Sequence, residues 1–241
     1  MFFEIFEKLL NFIFPRRCLK CGKVLFEEGY LCDKCVEEIN FITPPYCCKC
    51  GHPINELTAD GKMLCASCAG KKRHFFRMMR SAFVYDNSNK NLILGFKFFD
   101  KTENATLLAA MLKIAGKDIF SQGADIIVPV PLHYSRLIKR KYNQSVILAD
   151  KLSKMVCIPV DRFSLIRHKK TRPQVEFSGR QRVNNVKNAF SVKNSENIKD
   201  KRIILIDDVL TTGSTVKECS SVLKKAGAKS IDVLTVARTA D

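Results

Sequence analysis

The chain has 241 residues, of which 46% are hydrophobic, and it carries a formal net charge of +17 at pH 7. This length and composition fit one sizeable core with a small accessory module. No apolar run is long enough to cross a bilayer, which excludes a membrane-spanning protein, and we expect a cytoplasmic location in which thiols stay reduced.

The first fourteen residues are mostly apolar but are interrupted by Glu4, Glu7, Lys8 and Asn11. They lack the basic start and the cleavage site of a signal peptide. We expect residues 1–17 to form an N-terminal amphipathic helix. This helix either docks on the body of the protein or contacts the inner membrane peripherally.

Eight of the eleven cysteines form four pairs, each with two residues between its members. They are Cys18, Cys21, Cys32, Cys35, Cys47, Cys50, Cys65 and Cys68. Repeated two-residue spacing in a cytosolic chain favours metal over a disulfide framework, and eight thiolates suffice for two zinc sites. Because four cysteines leave no open coordination position, both zinc ions are expected to be structural.

The order in which the pairs combine stays open. Sequential pairing gives one site within 18–35 and another within 47–68, whereas interleaved pairing would mix them. Cys48, Cys157 and Cys219 are left over, and the last two fit apolar core patterns.

From residue 71 onward the sequence alternates between strands and helices. Strands are predicted over 81–85, 126–130, 203–206 and 231–236, and helices over 90–98, 105–114 and 144–155. This alternation is typical of a parallel sheet with crossover helices, so we expect an α/β fold over 71–241.

The strand that ends near Val130 runs into a stiff turn, because Pro129 and Pro131 flank that residue. Such a turn can present backbone N–H groups in a fixed direction, as a pyrophosphate site requires. If the protein acts on a pyrophosphate-containing ligand, Val130, Pro131 and Leu132 would receive the pyrophosphate, with Arg140 as a cationic helper. In the alternative interpretation, the prolines only end the strand and the cations are solvated.

The most informative segment is the strand over 203–206 and the two acids that follow it, Asp207 and Asp208. Ligands of open parallel sheets bind beyond the carboxyl ends of the strands. Carboxylates accept hydrogen bonds from the 2′ and 3′ hydroxyls of a ribose. The two acids are therefore predicted to hold a sugar, and to be the catalytic residues if a reaction occurs.

The turn after the acids is the predicted phosphate site. Its residues are Thr211, Thr212, Gly213, Ser214 and Thr215. The glycine permits a close backbone approach, and a helix is expected to begin here. A phosphate in the turn would face the free N–H groups and the positive end of that helix.

The region from residue 136 to residue 193 is strongly basic, with fifteen Lys or Arg against three Asp or Glu. Such a stretch would concentrate a polyphosphate or a nucleic acid near the predicted site. A solvated basic face is the alternative interpretation.

The segment 203–215 resembles the phosphoribosyl pyrophosphate (PRPP) motif of type I phosphoribosyltransferases. Together with the Val-Pro-Val-Pro-Leu turn and the cysteine-rich start, it resembles the ComF family of competence-associated proteins over nearly the whole chain. In that family the Arg140 region usually reads Arg-Gly-Phe/Tyr-Asn-Gln, whereas Lys141 replaces the glycine here. A glutamate often stands where this chain has Gln181.

The resemblance implies a type I phosphoribosyltransferase fold, preceded over 18–70 by a double zinc-ribbon domain. It implies that Asn143, Gln144 and Arg182 contribute to substrate binding, and that the basic segment 169–188 closes over the ligand. It also implies that PRPP binds with magnesium, which bridges the pyrophosphate to the ribose.

Three functions stay open. The first is binding of PRPP or a related phosphoribosyl ligand in a protein that assists DNA uptake, with single-stranded DNA or a protein of the uptake machinery as partners. The second is an active phosphoribosyltransferase with an unidentified acceptor. The third is a protein-interaction module built on the zinc ribbons.

Overall fold

The computed structural model describes residues 15–54, 63–70, 74–98, 104–169 and 186–239. The predictions for residues 1–14, for Arg182 and for most of the segment 169–188 lie outside these ranges. Among the described helices, none combines the length and the apolar character needed to cross a membrane.

The described helices and strands follow the predicted alternation closely. The helices are α1 (Asp33–Glu37), α2 (Ala66–Ala69), α3 (Lys90–Phe98), α4 (Asn104–Ala115), α5 (Lys117–Phe120), α6 (Tyr134–Arg140), α7 (Gln144–Val156) and α8 (Ser214–Lys225). The strands are β1 (Met79–Tyr85), β2 (Ile126–Pro129), β3 (Leu165–Arg167), β4 (Phe190–Val192), β5 (Arg202–Leu210) and β6 (Ser230–Thr239). The helix predicted over 90–98 has the observed bounds, whereas β5 and β6 extend farther than predicted.

Four strands form one parallel sheet in the order β1-β6-β5-β2. The four residues 203–206 of β5 are fully buried. A strand that is apolar on both faces is typical of a parallel sheet covered on both sides. The predicted parallel α/β fold is therefore confirmed.

The two faces of the sheet are covered by different elements. Ile204 and Ile206 belong to a core that includes α3, α4 and α7, whereas Ile203 and Leu205 belong to a second core with α8. This division follows from the alternation of side chains along a strand. An antiparallel pair of short strands, β3 and β4, also joins the second core and was not predicted.

The cysteine-rich region packs against the outer edge of the sheet. Ile42 N–H donates a hydrogen bond to Ala82 O (3.0 Å), and Val84 N–H donates one to Asn40 O (2.9 Å). An open strand edge exposes unpaired backbone groups, and here part of the edge of β1 is paired by this region. The contact fixes the cysteine-rich region relative to the sheet.

Candidate functional site

The carboxyl ends of β2 and β5 lie side by side but at different levels. Pro129, the last residue of β2, is opposite Ile206, and β5 continues to Leu210. The predicted end of this strand at Ile206 is therefore wrong, because β6 supplies partners beyond it, such as Thr235 for Asp207. Asp207 and Asp208 still lie at the carboxyl edge of the sheet, because the neighbouring strand β2 ends opposite Ile206.

Both acidic side chains are half-buried at this edge. Asp207 Oδ1 accepts hydrogen bonds from Ser145 Oγ (3.3 Å) and from Asp208 N–H (2.9 Å). Asp208 Oδ1 accepts one from Val209 N–H (2.6 Å). These donors orient both carboxylates while part of each residue stays in contact with solvent.

A cation and a thiol lie close enough to Asp207 to respond to its charge. Burial, followed by repulsion from Arg136, lowers the pKa of Arg167 to about 10, and Asp207 opposes this shift. Burial, followed by the charge of Asp207, raises the pKa of Cys219 well above its usual value. At neutral pH the acids are therefore accompanied by an arginine cation and an uncharged thiol.

The structure brings the five residues of the predicted phosphate site together in one turn. Gly213 has φ +71° and ψ 6°, a left-handed conformation that favours glycine, and α8 begins at the next residue. Thr212 Oγ1 and Ser214 Oγ lie 2.8 Å apart, and Thr211 and Thr215 are half-buried. The amino end of a helix offers free N–H groups to an anion.

The loop after β2 offers fewer backbone N–H groups to a ligand than the sequence predicted. Val130 is buried, its N–H donates to Ile206 O (2.9 Å), and its carbonyl accepts from Asn143 Nδ2 (3.0 Å). The prediction that Val130 presents an N–H group to pyrophosphate is therefore corrected. Because Pro131 has no N–H group, Leu132 is the member of this set that can contribute one.

Asn143 and Gln144 stand at the start of α7, where each is held by a hydrogen bond. Asn143 Oδ1 accepts from Ser145 N–H (3.0 Å), which caps the helix. Gln144 is buried, and its Oε1 accepts from Arg140 Nη1 (3.2 Å). The loop after β2, α6 and the start of α7 are thus tied together, and ligand contacts by these residues stay predictions.

The strands β3 and β4 frame the segment 170–185, which includes Arg182 and lies outside the described residues. His168 N–H donates to Ala189 O (3.1 Å), which brings the two ends of this segment together. The guanidinium of Arg167 stacks over the ring of Phe190 at 5.1 Å. The basic segment therefore begins and ends beside the cation that accompanies Asp207.

The eight paired cysteines form two clusters. In each cluster the four Sγ atoms lie within 4.8 Å of one another. The members are Cys18, Cys21, Cys32 and Cys35 in the first cluster and Cys47, Cys50, Cys65 and Cys68 in the second. The structure thus selects sequential pairing.

The sulfur positions fit tetrahedral zinc. Zn–S bonds of about 2.3 Å place sulfurs about 3.8 Å apart in a tetrahedron. The Sγ atoms of Cys21 and Cys32 are 3.8 Å apart, and those of Cys50 and Cys65 are 3.6 Å apart. The two clusters therefore suit two structural zinc ions.

Two side chains outside the second cluster hold it in place. His74 Nε2 lies 3.7 Å from Cys68 Sγ. Arg238, which is buried near the end of β6, donates from Nη1 to Cys50 O (2.9 Å), and its Nη2 lies 3.1 Å from His52 Nδ1. The end of a central strand is thus bonded directly to a metal-binding turn.

The other cysteines lie outside both clusters. Cys48 and Cys157 are exposed, whereas Cys219 is buried. The prediction that Cys157 is a core residue is wrong, because it caps the carboxyl end of α7 with φ +55°. The prediction for Cys219 is confirmed.

Sequence reasoning missed Ser145, Arg167, His74 and Arg238. Ser145 is two residues after a capping asparagine, so the helix-start pattern could have indicated it. The others depend on contacts between distant parts of the chain, such as the bond that joins Arg238 to Cys50 across 188 residues. No local pattern signals such contacts.

Comparisons with known proteins agree with this architecture. A family model described as a double zinc ribbon domain matches residues 9–70, and one described as a phosphoribosyl transferase domain matches residues 142–241. The chain is 33% identical to competence protein F of Haemophilus influenzae over 236 residues, which cover 95% of this chain and 100% of that protein.

Two further relatives have similar names. DNA utilization protein YhgH of Escherichia coli is 32% identical over 73% of this chain and 78% of its own length. Competence protein ComFC of Bacillus subtilis is 26% identical over 68% of this chain and 65% of its own length. The chain therefore belongs to the ComF family of competence and DNA utilization proteins, which combines a double zinc ribbon with a phosphoribosyl transferase domain.

Proposed function

We propose that the carboxyl edge of the sheet binds PRPP or a related phosphoribosyl ligand, and that the protein uses this ligand in handling DNA. One observation carries the proposal. Two oriented carboxylates, Asp207 and Asp208, precede a left-handed turn at Gly213 that opens onto the amino end of a helix. An acidic group and an anion site next to each other match the two ends of a ribose-5-phosphate.

The charges of the site would orient the ligand. The carboxylates accept hydrogen bonds from the ribose hydroxyls and would repel a phosphate. The turn over 211–215 favours the 5′-phosphate, because the N–H groups of α8 face it. Leu132 N–H and the guanidinium of Arg140 are proposed for the pyrophosphate, with Arg182 of the basic segment as a further cationic residue.

Magnesium is the proposed companion of the ligand. Mg²⁺ prefers oxygen ligands and commonly binds through one or two carboxylates and the substrate phosphates. Asp207 and Asp208 supply half-buried carboxylates at this edge, so the donor set fits the ion. When bound, Mg²⁺ would neutralise charge on the pyrophosphate.

The role in DNA handling rests on the names of the relatives and on charge. These relatives are called competence and DNA utilization proteins. The formal net charge of +17 suits contact with single-stranded DNA, which salt would weaken. A protein of the uptake machinery is the other proposed partner.

Catalytic transfer is the second candidate function, and the two acids favour it. Positive charge develops on the ribose when the bond from C1′ to pyrophosphate breaks, and nearby carboxylates would stabilise it. Release of pyrophosphate in the presence of a panel of acceptors distinguishes an enzyme from a binding protein. The zinc-ribbon interaction module is less favoured, because the second cluster is bonded to β6 of its own chain.

Calorimetry with Mg–PRPP tests the site. The double variant Asp207→Asn/Asp208→Asn should weaken binding by about 10- to 100-fold, because each asparagine replaces a hydrogen bond to a charged group with one to a neutral group, a loss of about 1 kcal/mol per residue. The control is Glu196→Gln, which removes an exposed carboxylate from the connection that precedes β5. Equal affinity in all three proteins would overturn the assignment.

A further inference from the structure

An apolar groove of about 550 Å³ lies between the first cysteine cluster and α4. Its walls include Tyr30, Leu31, Val36, Phe41, Met111 and Ile114. Several of these side chains are exposed, among them Ile114 at 78%, Tyr30 at 46% and Val36 at 43%. Adjacent exposed apolar side chains of this size mark an interaction surface.

The start of the chain has a matching composition. Ten of residues 1–14 are Met, Phe, Ile or Leu, and the other four are Glu4, Glu7, Lys8 and Asn11. The polar residues are spaced three, one and three positions apart. In a helix they would share one narrow stripe and leave a broad apolar face.

The start of the chain is also tethered beside the groove. Leu19 N–H donates to the carbonyl of Tyr30 (2.9 Å), and Tyr30 lines the groove. Leu19 is four positions after Pro15, a distance of at most about 14 Å along an extended chain. Residues 1–14 therefore meet the groove at a high effective concentration.

We propose that residues 1–14 dock in this groove as an amphipathic helix, with Glu4, Glu7, Lys8 and Asn11 directed to solvent. A helix of this length would be about 21 Å long. Docking would cover Ile114 and connect the first cysteine cluster to α4. The proposal does not depend on the phosphoribosyl site.

Hydrogen exchange of the full, zinc-loaded chain tests the proposal. The amides of residues 4–14 should exchange at least about tenfold more slowly than those of an unstructured peptide. The variant Ile114→Asp places a charge in the groove and should abolish this protection. The matched control is Ile138→Asp, which alters an exposed isoleucine (63%) on α6 outside the groove and should keep the protection.

A second variant tests the other side of the same contact. Phe6→Asp places a charge on the apolar face of the segment and should also abolish the protection, while the exchange of the sheet amides stays unchanged. The proposal is overturned if the wild-type segment is unprotected. It is also overturned if protection requires phosphatidylglycerol vesicles, or if it follows a dimerisation seen in sedimentation.

Discussion

At Lys141 the backbone enters the left-handed region, with φ +65°, directly after α6 ends. A side chain crowds the backbone in this conformation, so glycine is favoured after a helix. The resemblance to the ComF family points to the same position, because members of that family usually have a glycine there. The lysine of this chain therefore occupies a conformation that favours another residue.

Replacing this lysine should stabilise the protein. Lys141→Gly is expected to raise the free energy of unfolding by about 1 kcal/mol, because an L-residue in the left-handed region costs about that much. Urea denaturation measures the change. The control, Lys154→Gly, places glycine inside α7 and should instead lower stability by about 1 kcal/mol. A loss of stability in both variants would contradict the interpretation of Lys141.

At the scale of single elements, one ion pair joins the starts of two strands. Asp125 Oδ2 accepts from Arg202 N–H (2.7 Å), and Oδ1 accepts from Arg202 Nη2 (2.8 Å). Hydrogen bonds from the Arg202 side chain, then from its backbone, lower the pKa of Asp125 to about 2. The starts of β2 and β5 are therefore held together by a carboxylate that must be charged.

This ion pair predicts a specific pH dependence. A carboxyl whose pKa is lower in the folded state stabilises the fold above its unfolded pKa of about 4 and loses this effect as the pH falls toward 2. Asp125→Asn should therefore lower the melting temperature at pH 7, and the difference from wild type should shrink below about pH 4. A difference that is the same at pH 7 and at pH 3 would contradict the role of the charge.

The two metal-binding turns contain glycines in the same conformation but in different surroundings. Gly51 has φ +64°, and a Cβ atom there would lie 2.7 Å from Met79 O of β1. Gly22 has φ +77°, with nothing within 4 Å of the corresponding Cβ position. The second turn thus fits closely against the sheet, whereas the first does not.

Alanine at these two positions separates backbone strain from packing. Gly22→Ala should lower the free energy of unfolding by about 1 kcal/mol through the left-handed conformation alone. Gly51→Ala should cost about 1–3 kcal/mol more, because the added carbon collides with a strand. Denaturation of the zinc-loaded proteins measures both effects. Equal losses in the free energy of unfolding would contradict the close packing of the Gly51 turn against β1.

The elements that the sequence predicted well have strong periodic patterns. The helix α3 and the buried part of β5 have such patterns over 90–98 and 203–206. The end of β5 was missed because two successive acids are typical of a loop, although β6 extends far enough to pair with them. The strands β3 and β4 were missed because three residues in a basic stretch show no alternation.

The sequence predicted which residues form the candidate site, but not the hydrogen bonds that they make. The acids and the turn over 211–215 follow from local order along the chain. The hydrogen bond of the Val130 N–H group does not follow from local order, because its acceptor, the carbonyl of Ile206, belongs to a strand that is distant in sequence. Pairing between strands is decided by the fold as a whole.

At the scale of the whole molecule, the cysteine-rich region and the sheet depend on each other. Backbone groups of Asn40, Ile42 and Lys49 pair with the outer edge of β1. A region with two clusters that suit zinc thus protects a strand edge that would otherwise promote association. The division into domains at residue 70 stays a prediction.

Removal of zinc should therefore affect the sheet. The protein is expected to contain two zinc ions per chain, measured by elemental analysis. After chelation, the amides of Met79 and Val84 should exchange faster, because Lys49 O and Asn40 O no longer accept from them. Zinc should restore their protection and magnesium should not. Unchanged exchange after complete zinc loss would contradict this dependence.

The proposed phosphoribosyl site is tested most directly by a crystal structure of the protein with Mg–PRPP. We expect the ribose hydroxyls within about 3 Å of the Asp207 and Asp208 carboxylates. The 5′-phosphate should contact the backbone of residues 212–215 at the start of α8. A ligand bound elsewhere, or one whose phosphate lies beside the two acids, would contradict the proposed site.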